Sequence, residues 1–299
     1  MTRVIEGRRW VIEKSDRAYP QAYRNLAQAP DRLYGIGNER ALREGLAVIG
    51  ARRATPYGRK CANRFASMAA ERGIPIISGG ARGCDSEAHR AALAAGGTTV
   101  AILGGGCDEP YPREHVGLFQ QIVDSGGAVI SENPWDFKPL PYTFRERNRL
   151  IAALSRAVLI VEAGLPSGTF STADEALAAN RDVLVVPGSI ASASSRGSNR
   201  LLYQGATPIV DDESFEDQLF SLFGCLKSPP CGAGGAGADE DADPLIEAIL
   251  ASPMTTEQVY NTAVGLFGDD ARNETAKRVA MAEVAGIIAR GPDGRWGPA

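Results

Sequence analysis

Apolar residues in this chain gather in short runs that end in glycine, separated by stretches whose apolar positions recur every three or four residues. LAVIG (46–50), IPIIS (74–78), TTVAIL (98–103), AVIS (128–131), AVLIVEA (157–163), DVLVVP (182–187) and TPIV (207–210) read as strands. Residues 59–72, 86–95, 113–125, 148–155, 172–180 and 199–204 carry helical spacing between them. Strands without polar alternation are buried on both faces. Their alternation with helices predicts an α/β fold, a doubly wound, mostly parallel Rossmann-like sheet over residues 41–223. Residues 1–40 hold Trp and Tyr but little periodicity, and are expected to form an arm packed on that sheet.

The pattern breaks after Phe223. Residues 224–243 are rich in Gly, Pro and Ala and then acidic, which predicts a flexible linker. Residues 244–299 suggest three short helices, one starting at Thr256-Glu257, and a hairpin turned at Pro292-Asp293-Gly294. That order predicts a small winged-helix domain.

Composition narrows the function. With 44% hydrophobic and 23% charged residues in 299, the chain holds enough apolar side chain for a sizeable core. No run of eighteen apolar residues predicts a membrane helix, and the first ten residues lack the apolar segment of a secretory signal. Five cysteines without a C-x-x-C pattern fit a reduced, cytoplasmic setting, and two histidines argue against zinc. No metal or cofactor is expected. The net charge of −4 excludes a uniformly basic nucleic-acid coat, so any polyanion site must be local. Residues 239–299 hold 11 acids and 5 bases, net −6, whereas residues 1–238 carry net +2. Phosphate contacts need Lys and Arg, so a protein-contact or spacer role suits the tail better than DNA reading.

Ligands of open parallel sheets bind beyond the carboxyl ends of the strands. Those ends carry Gly50, Arg52 and Arg53; Gly79, Gly80, Arg82 and Gly83; Gly104 and Gly106; Ser167, Gly168 and Thr169; and Gly188, with Arg196 following. Glycine admits close approach of a backbone N–H to an anion, and a helix N-terminus adds positive partial charge. Tight turns alone account for any one of these glycines. Five together, with Arg52 and Arg82, favour a phosphate-binding edge. Phe144, Arg145, Arg147, Asn148 and Arg149 follow Tyr142, a basic stretch with aromatics of the kind that grips single strands. A solvated helix start with Phe144 in the core explains that stretch equally well.

Enzyme signatures are missing: there is no Walker sequence, no dinucleotide fingerprint at a strand end and no nucleophile elbow. Asp85 is expected to cap a helix and His89, four residues on, to pack inside. His115 is expected at the surface, and Cys84 and Cys107 as small buried fillers.

These segments resemble the DNA-processing protein A family (DprA/Smf). The resemblance rests on AVIGARRATPYG (47–58), ISGGARGCDSEAHRAAL (77–93), AILGGGCDEPYP (101–112), FRERNRLIAALSRAVLIVEA (144–163), SGTFSTADEAL (167–177) and VPGSIASASSRGSNRLLYQGA (186–206), in order and spacing. It covers roughly residues 18–223. A helical N-terminal domain that many members carry is expected to be missing. The resemblance implies a non-catalytic protein that binds single-stranded DNA, forms homodimers and hands the strand to a RecA-type recombinase in natural transformation or recombination. By motif it assigns family roles to Arg52, Arg82, Phe144, Arg147, Asn148 and Arg149. Arg145 stands where the family usually has proline, Ala51 where serine is common and Gly80 where leucine is common. Two alternatives come from related folds. One is a nucleotide phosphoribohydrolase of the LOG type, for which Thr172 stands where the catalytic glutamate belongs and Glu162 or Glu175 would have to substitute. The other is a sensor of a small nucleotide.

Overall fold

The structure, a computed structural model, describes residues 4–225, 243–251, 254–268, 271–284, 287–291 and 294–298. Two compact units are present, Met1–Lys227 and Ser228–Ala299.

The first unit is built on a nine-stranded sheet. Its strands are β1 (Arg9–Glu13), β2 (Arg32–Gly37), β3 (Gly45–Ile49), β4 (Ile76–Ser78), β5 (Thr99–Ile102), β6 (Ala128–Ser131), β7 (Ser155–Ile160), β8 (Asp182–Val185) and β9 (Thr207–Pro208). Their spatial order is β1-β2-β6-β5-β4-β3-β7-β8-β9. All pairs from β6 to β9 are parallel, as the unalternating apolar runs predict. The N-terminal segment is a correction. It is no arm lying on the sheet but part of it, since β1 pairs antiparallel with β2 and β2 with β6. Trp10 and Leu33 are buried there while Val11 stays exposed, the alternation of a half-covered edge.

Helices cover both faces. Ile77 and Ile49 point to a core completed by α5 (Thr143–Ala153), α6 (Thr169–Ala178) and α7 (Arg196–Tyr203), with Tyr23 of the short α1 (Gln21–Arg24). Their neighbours Ile76 and Val48 point the other way, toward α2 (Pro56–Glu71), α3 (Cys84–Ala94) and α8 (Asp212–Phe223). Helix α4 (Val116–Asp124) packs Phe119 and Ile122 against β5 and β6. The sequence pattern did not anticipate α8, whose start is fixed by a capping box between Asp211 and Ser214.

Chain order runs outward from β3 through β4 and β5 to β6, then returns to place β7, β8 and β9 on the opposite side of β3. The strand order therefore reverses between β3 and β7. A crevice opens at such a point because the connections leave in opposite directions.

The second unit comprises α9 (Pro244–Ala251), α10 (Thr256–Phe267), α11 (Ala271–Val284) and a two-stranded hairpin, β10 (Ile288–Arg290) with β11 (Trp296–Pro298). Leu245, Ile249, Val259, Ala263 and Ile288 form its small core. Thr255 caps α10 in a capping box with Gln258. Residues 226–242 of the expected linker, and Pro292 and Asp293 of the expected turn, lie outside the described residues.

Candidate nucleic-acid interface

The crevice between β3 and β7 holds a cavity of about 490 Å³. Its walls are the loop Gly50–Arg53 after β3, the start of α5 from Phe144 to Asn148, and Ser167-Gly168-Thr169 at the start of α6. A smaller cavity of about 240 Å³ shares Arg52, Arg53, Phe144 and Arg147 and adds Arg82, Tyr111 and Pro112. The Phe144 ring stands between the two. It meets the Tyr111 ring edge-on at 5.5 Å, and the Arg52 guanidinium lies 5.4 Å above it.

Arginines outnumber acids at this rim. Arg52, Arg53 and Arg145 are exposed, and among the described residues none has a carboxylate partner. Arg82 is exposed too, but it is paired with Glu114; Nη2 donates to Oε2 at 2.7 Å. That hydrogen bond lowers the Glu114 carboxyl below the usual range and raises the Arg82 guanidinium. Helix α6 opens on the cavity with Gly168 as its cap and no acidic residue in its first turn; the Thr169 N–H is taken by Ser167 Oγ at 3.2 Å, and the helix end adds positive partial charge.

The backbone cradle expected at the glycine turns takes another form. At the β3 turn, the Thr55 N–H and hydroxyl both donate to buried Glu162, each at 2.8 Å. A carboxylate of the protein thus occupies the N-terminus of α2. At the β4 turn, the Gly79 and Ala81 N–H groups donate to Asp85, at 3.1 and 3.3 Å. Burial raises the Asp85 carboxyl, opposed by Arg147 and these amides. Two seats that a free phosphate would take are therefore filled from within. Guanidinium groups and the α6 terminus are what remain outward.

Residues 10–220 match the family described as DNA recombination-mediator protein A. The chain belongs to this family. It is similar to Protein Smf of Escherichia coli (strain K12), 39% identical over 210 residues, 70% of this chain and 56% of that protein. The putative DNA processing protein DprA of Mycobacterium tuberculosis (strain H37Rv) is also 39% identical, over 253 residues, 84% of this chain and 63% of that protein. The chain thus spans between half and two thirds of the length of these relatives. Among solved structures, DNA processing protein A of Helicobacter pylori, reported for its single-stranded DNA binding mode, superposes with a TM-score of 0.65 at 32% identity. It matches 72% of this chain and 97% of its own. DNA processing protein A of Streptococcus pneumoniae gives 0.64 at 33%, over 68% and 72%.

Around the crevice of this family member, the structure brings together Gly50, Arg52, Arg53, Phe144, Arg145, Asn148, Ser167, Gly168 and Thr169. Arg82 and Gly79 line the adjoining cavity. Gly83, at φ +78°, caps α3 where a side chain would strike the Ala51 and Arg52 carbonyls, so it shapes the turn. Other expected residues are placed elsewhere. Gly104 is buried against Phe144, and Gly106 against the backbone of Pro134 and Trp135, because the segment after β6 folds over the end of β5. Gly80 is buried against Phe119. Gly188 exchanges two hydrogen bonds with the Asn199 side chain. Arg149 points away from the crevice, paired with Glu132 at 2.6 Å and donating to the Gln28 carbonyl. Arg147 does line both cavities, but it is buried and donates to the carbonyls of Gly79, at 2.9 Å, and Ile102. Arg196 is exposed at the start of α7 but lines neither cavity.

His115 is buried rather than at the surface; its Nδ1 is 2.9 Å from the Gly80 carbonyl. Asp85 does not cap its helix but ties the preceding loop. His89 packs inside as expected, and Cys84 and Cys107 are buried free thiols in separate parts of the core. The hydrolase alternative loses both carboxylates: Glu162 is committed to Thr55, and Glu175 lines a different cavity with Arg149. Sequence reasoning missed Glu114 and Tyr111. Glu114 is 32 residues from Arg82, and no local pattern announces such a pair.

Proposed function

We propose that the crevice between β3 and β7 binds single-stranded DNA, that it does so without catalysis, and that the protein serves DNA processing in recombination. The observation that carries this reading is the set of exposed guanidiniums of Arg52, Arg53 and Arg145, without carboxylate partners among the described residues, around one cavity whose wall includes Phe144. Guanidiniums neutralise phosphates, and a base stacks on an aromatic face at about 1–3 kcal/mol. The flexible backbone of a single strand can enter a cavity of this size, whereas a duplex cannot present its bases to Phe144. Family membership extends the proposal to a homodimer that hands the strand to a RecA-type recombinase in the cytoplasm. Among the described residues, no helix is long and apolar enough to cross a membrane.

The deciding experiment is titration of labelled single-stranded and duplex oligonucleotides at two salt concentrations. Strong preference for the single strand, weakening as salt rises, supports the reading. Equal affinity for duplex, or a thermal shift with mononucleotides and none with oligonucleotides, overturns it in favour of a duplex binder or a nucleotide sensor.

A further inference from the structure

Three consecutive residues of the turn after β4 are held by three buried side chains from three different parts of the chain. The Gly79 N–H donates to Asp85 on α3, and the Gly79 carbonyl accepts from Arg147 Nη1 on α5 at 2.9 Å. The Gly80 carbonyl is 2.9 Å from Nδ1 of His115, in the single turn that precedes α4. The Ala81 N–H donates to the same Asp85 oxygen. Asp85, Arg147 and His115 are 6%, 5% and 7% exposed. Gly79, Ala81, Arg82 and Arg147 itself line the smaller cavity.

Arg147 differs from the other arginines of the rim in what its guanidinium already does. Nη1 serves two carbonyls, that of Gly79 just after β4 and that of Ile102 at the end of the adjacent β5. A phosphate that captured Nη1 would strip two buried carbonyls of their donor, each costing about 1–3 kcal/mol. Among the described residues, Arg52, Arg53 and Arg145 have no such ties, and they stand exposed.

We propose that Arg147, with Asp85 and His115, is a positioning residue: it fixes the Gly79–Arg82 loop so that Arg82 faces the strand, and it spends Nη1 on that loop rather than on a phosphate. The proposal rests on the strand-binding reading above.

The test uses the full chain, with Arg147→Met alone and combined with Arg82→Ala, read by amide hydrogen exchange without DNA and by oligo-dT titration. Exchange at Gly79–Gly83 is expected to quicken in Arg147→Met while the rest of the sheet keeps its protection. Affinity is expected to fall roughly tenfold, the size of one charge-assisted hydrogen bond. In the Arg82→Ala background the same substitution costs less than about twofold, because the two residues act in series. Unchanged loop exchange, with the same fold-loss in both backgrounds and a salt slope lower by about 0.7, overturns the proposal and makes Arg147 a direct contact. Should Arg147→Met fail to fold, Gly79→Ala replaces it. A Cβ there lies 2.6 Å from Arg147 Nη2, so it displaces the guanidinium while keeping its charge, and the same pattern is expected. Arg52→Ala/Arg53→Ala is measured alongside. Wild-type affinity in that variant overturns the strand site itself, while the exchange data judge Arg147 independently of any DNA.

Discussion

Removing Arg52, Arg53 and Arg145 together tests the rim most directly. All three are exposed, none is paired with a carboxylate among the described residues, and Arg52 and Arg145 flank Phe144 at the same cavity. No buried acid loses its partner, so the alanine variant is expected to fold as the parent does. Each phosphate neutralised on a single strand contributes about −0.7 to the slope of log K against log salt, so the triple variant flattens that slope by about 2. Between 50 and 200 mM salt, the parent then loses roughly 20-fold more affinity than the variant. Fluorescence anisotropy of a labelled oligo-dT across that range reads both lines. Arg52 needs one further separation because its guanidinium also covers the Phe144 ring at 5.4 Å. Arg52→Lys keeps the charge and weakens the stacked contact, so it preserves the slope and lowers affinity by about 0.5–1 kcal/mol. Parallel lines for parent and triple variant, displaced or not, refute the phosphate assignment, because lost stacking moves the intercept and not the slope.

Other consequences concern neighbouring groups. Glu114→Gln frees Arg82 from its only ion-pair partner among the described residues, and is expected to tighten oligo-dT binding and steepen the salt slope by up to about 0.7 in the same assay. Arg149→Ala strands Glu132 and the Gln28 carbonyl. It is expected to lower stability by about 2 kcal/mol in urea unfolding while leaving the salt slope untouched. Burial pushes the His89 imidazole down to about 3, with the His115 and Arg147 charges adding to it. Thr99 donates its hydroxyl to the Ile76 carbonyl, so His89 Nδ1 carries the proton that Thr99 accepts. The unfolded ring takes up a proton near pH 6.5 and the folded ring does not, so this stability is whole above pH 6.5 and is lost as pH falls toward 3. The stability advantage of the parent over His89→Asn is expected to shrink by up to about 1.4 kcal/mol per pH unit in that window, measured by urea titration from pH 7.5 to 5. A constant difference would contradict a neutral buried ring.

The burial of Arg147 shows where the sequence reading ran out. Short apolar runs bounded by glycine specify buried parallel strands almost by themselves, because a buried strand has no polar face to show. Helix starts are weaker signals. The pattern places the helix before β7 at 148–155, whereas α5 begins at Thr143. Starting from Asn148, Arg147 belongs to a basic loop beside Arg145 and Arg149. Starting from Thr143, the buried positions include Thr143, Arg147, Leu150 and Ile151, the i, i+4, i+7, i+8 stripe of a core-facing helix, with Ala152 and Ala153 buried at its end. A five-residue boundary shift thus moves Arg147 from a basic loop to the buried face of a helix, where its guanidinium meets the Gly79 and Ile102 carbonyls. The same logic covers the glycine turns. Sequence shows that a backbone N–H is close to the rim, but whether it faces outward depends on which carboxylate the fold returns to it. Asp85 comes from six residues away and Glu162 from more than a hundred. The first was within reach of local reasoning; the second required knowing that β7 lies beside β3. Arg52, Arg53 and Arg145 escaped this ambiguity because, among the described residues, no carboxylate is brought to them, and that is why the proposed binding rests on side-chain charge rather than on a main-chain cradle.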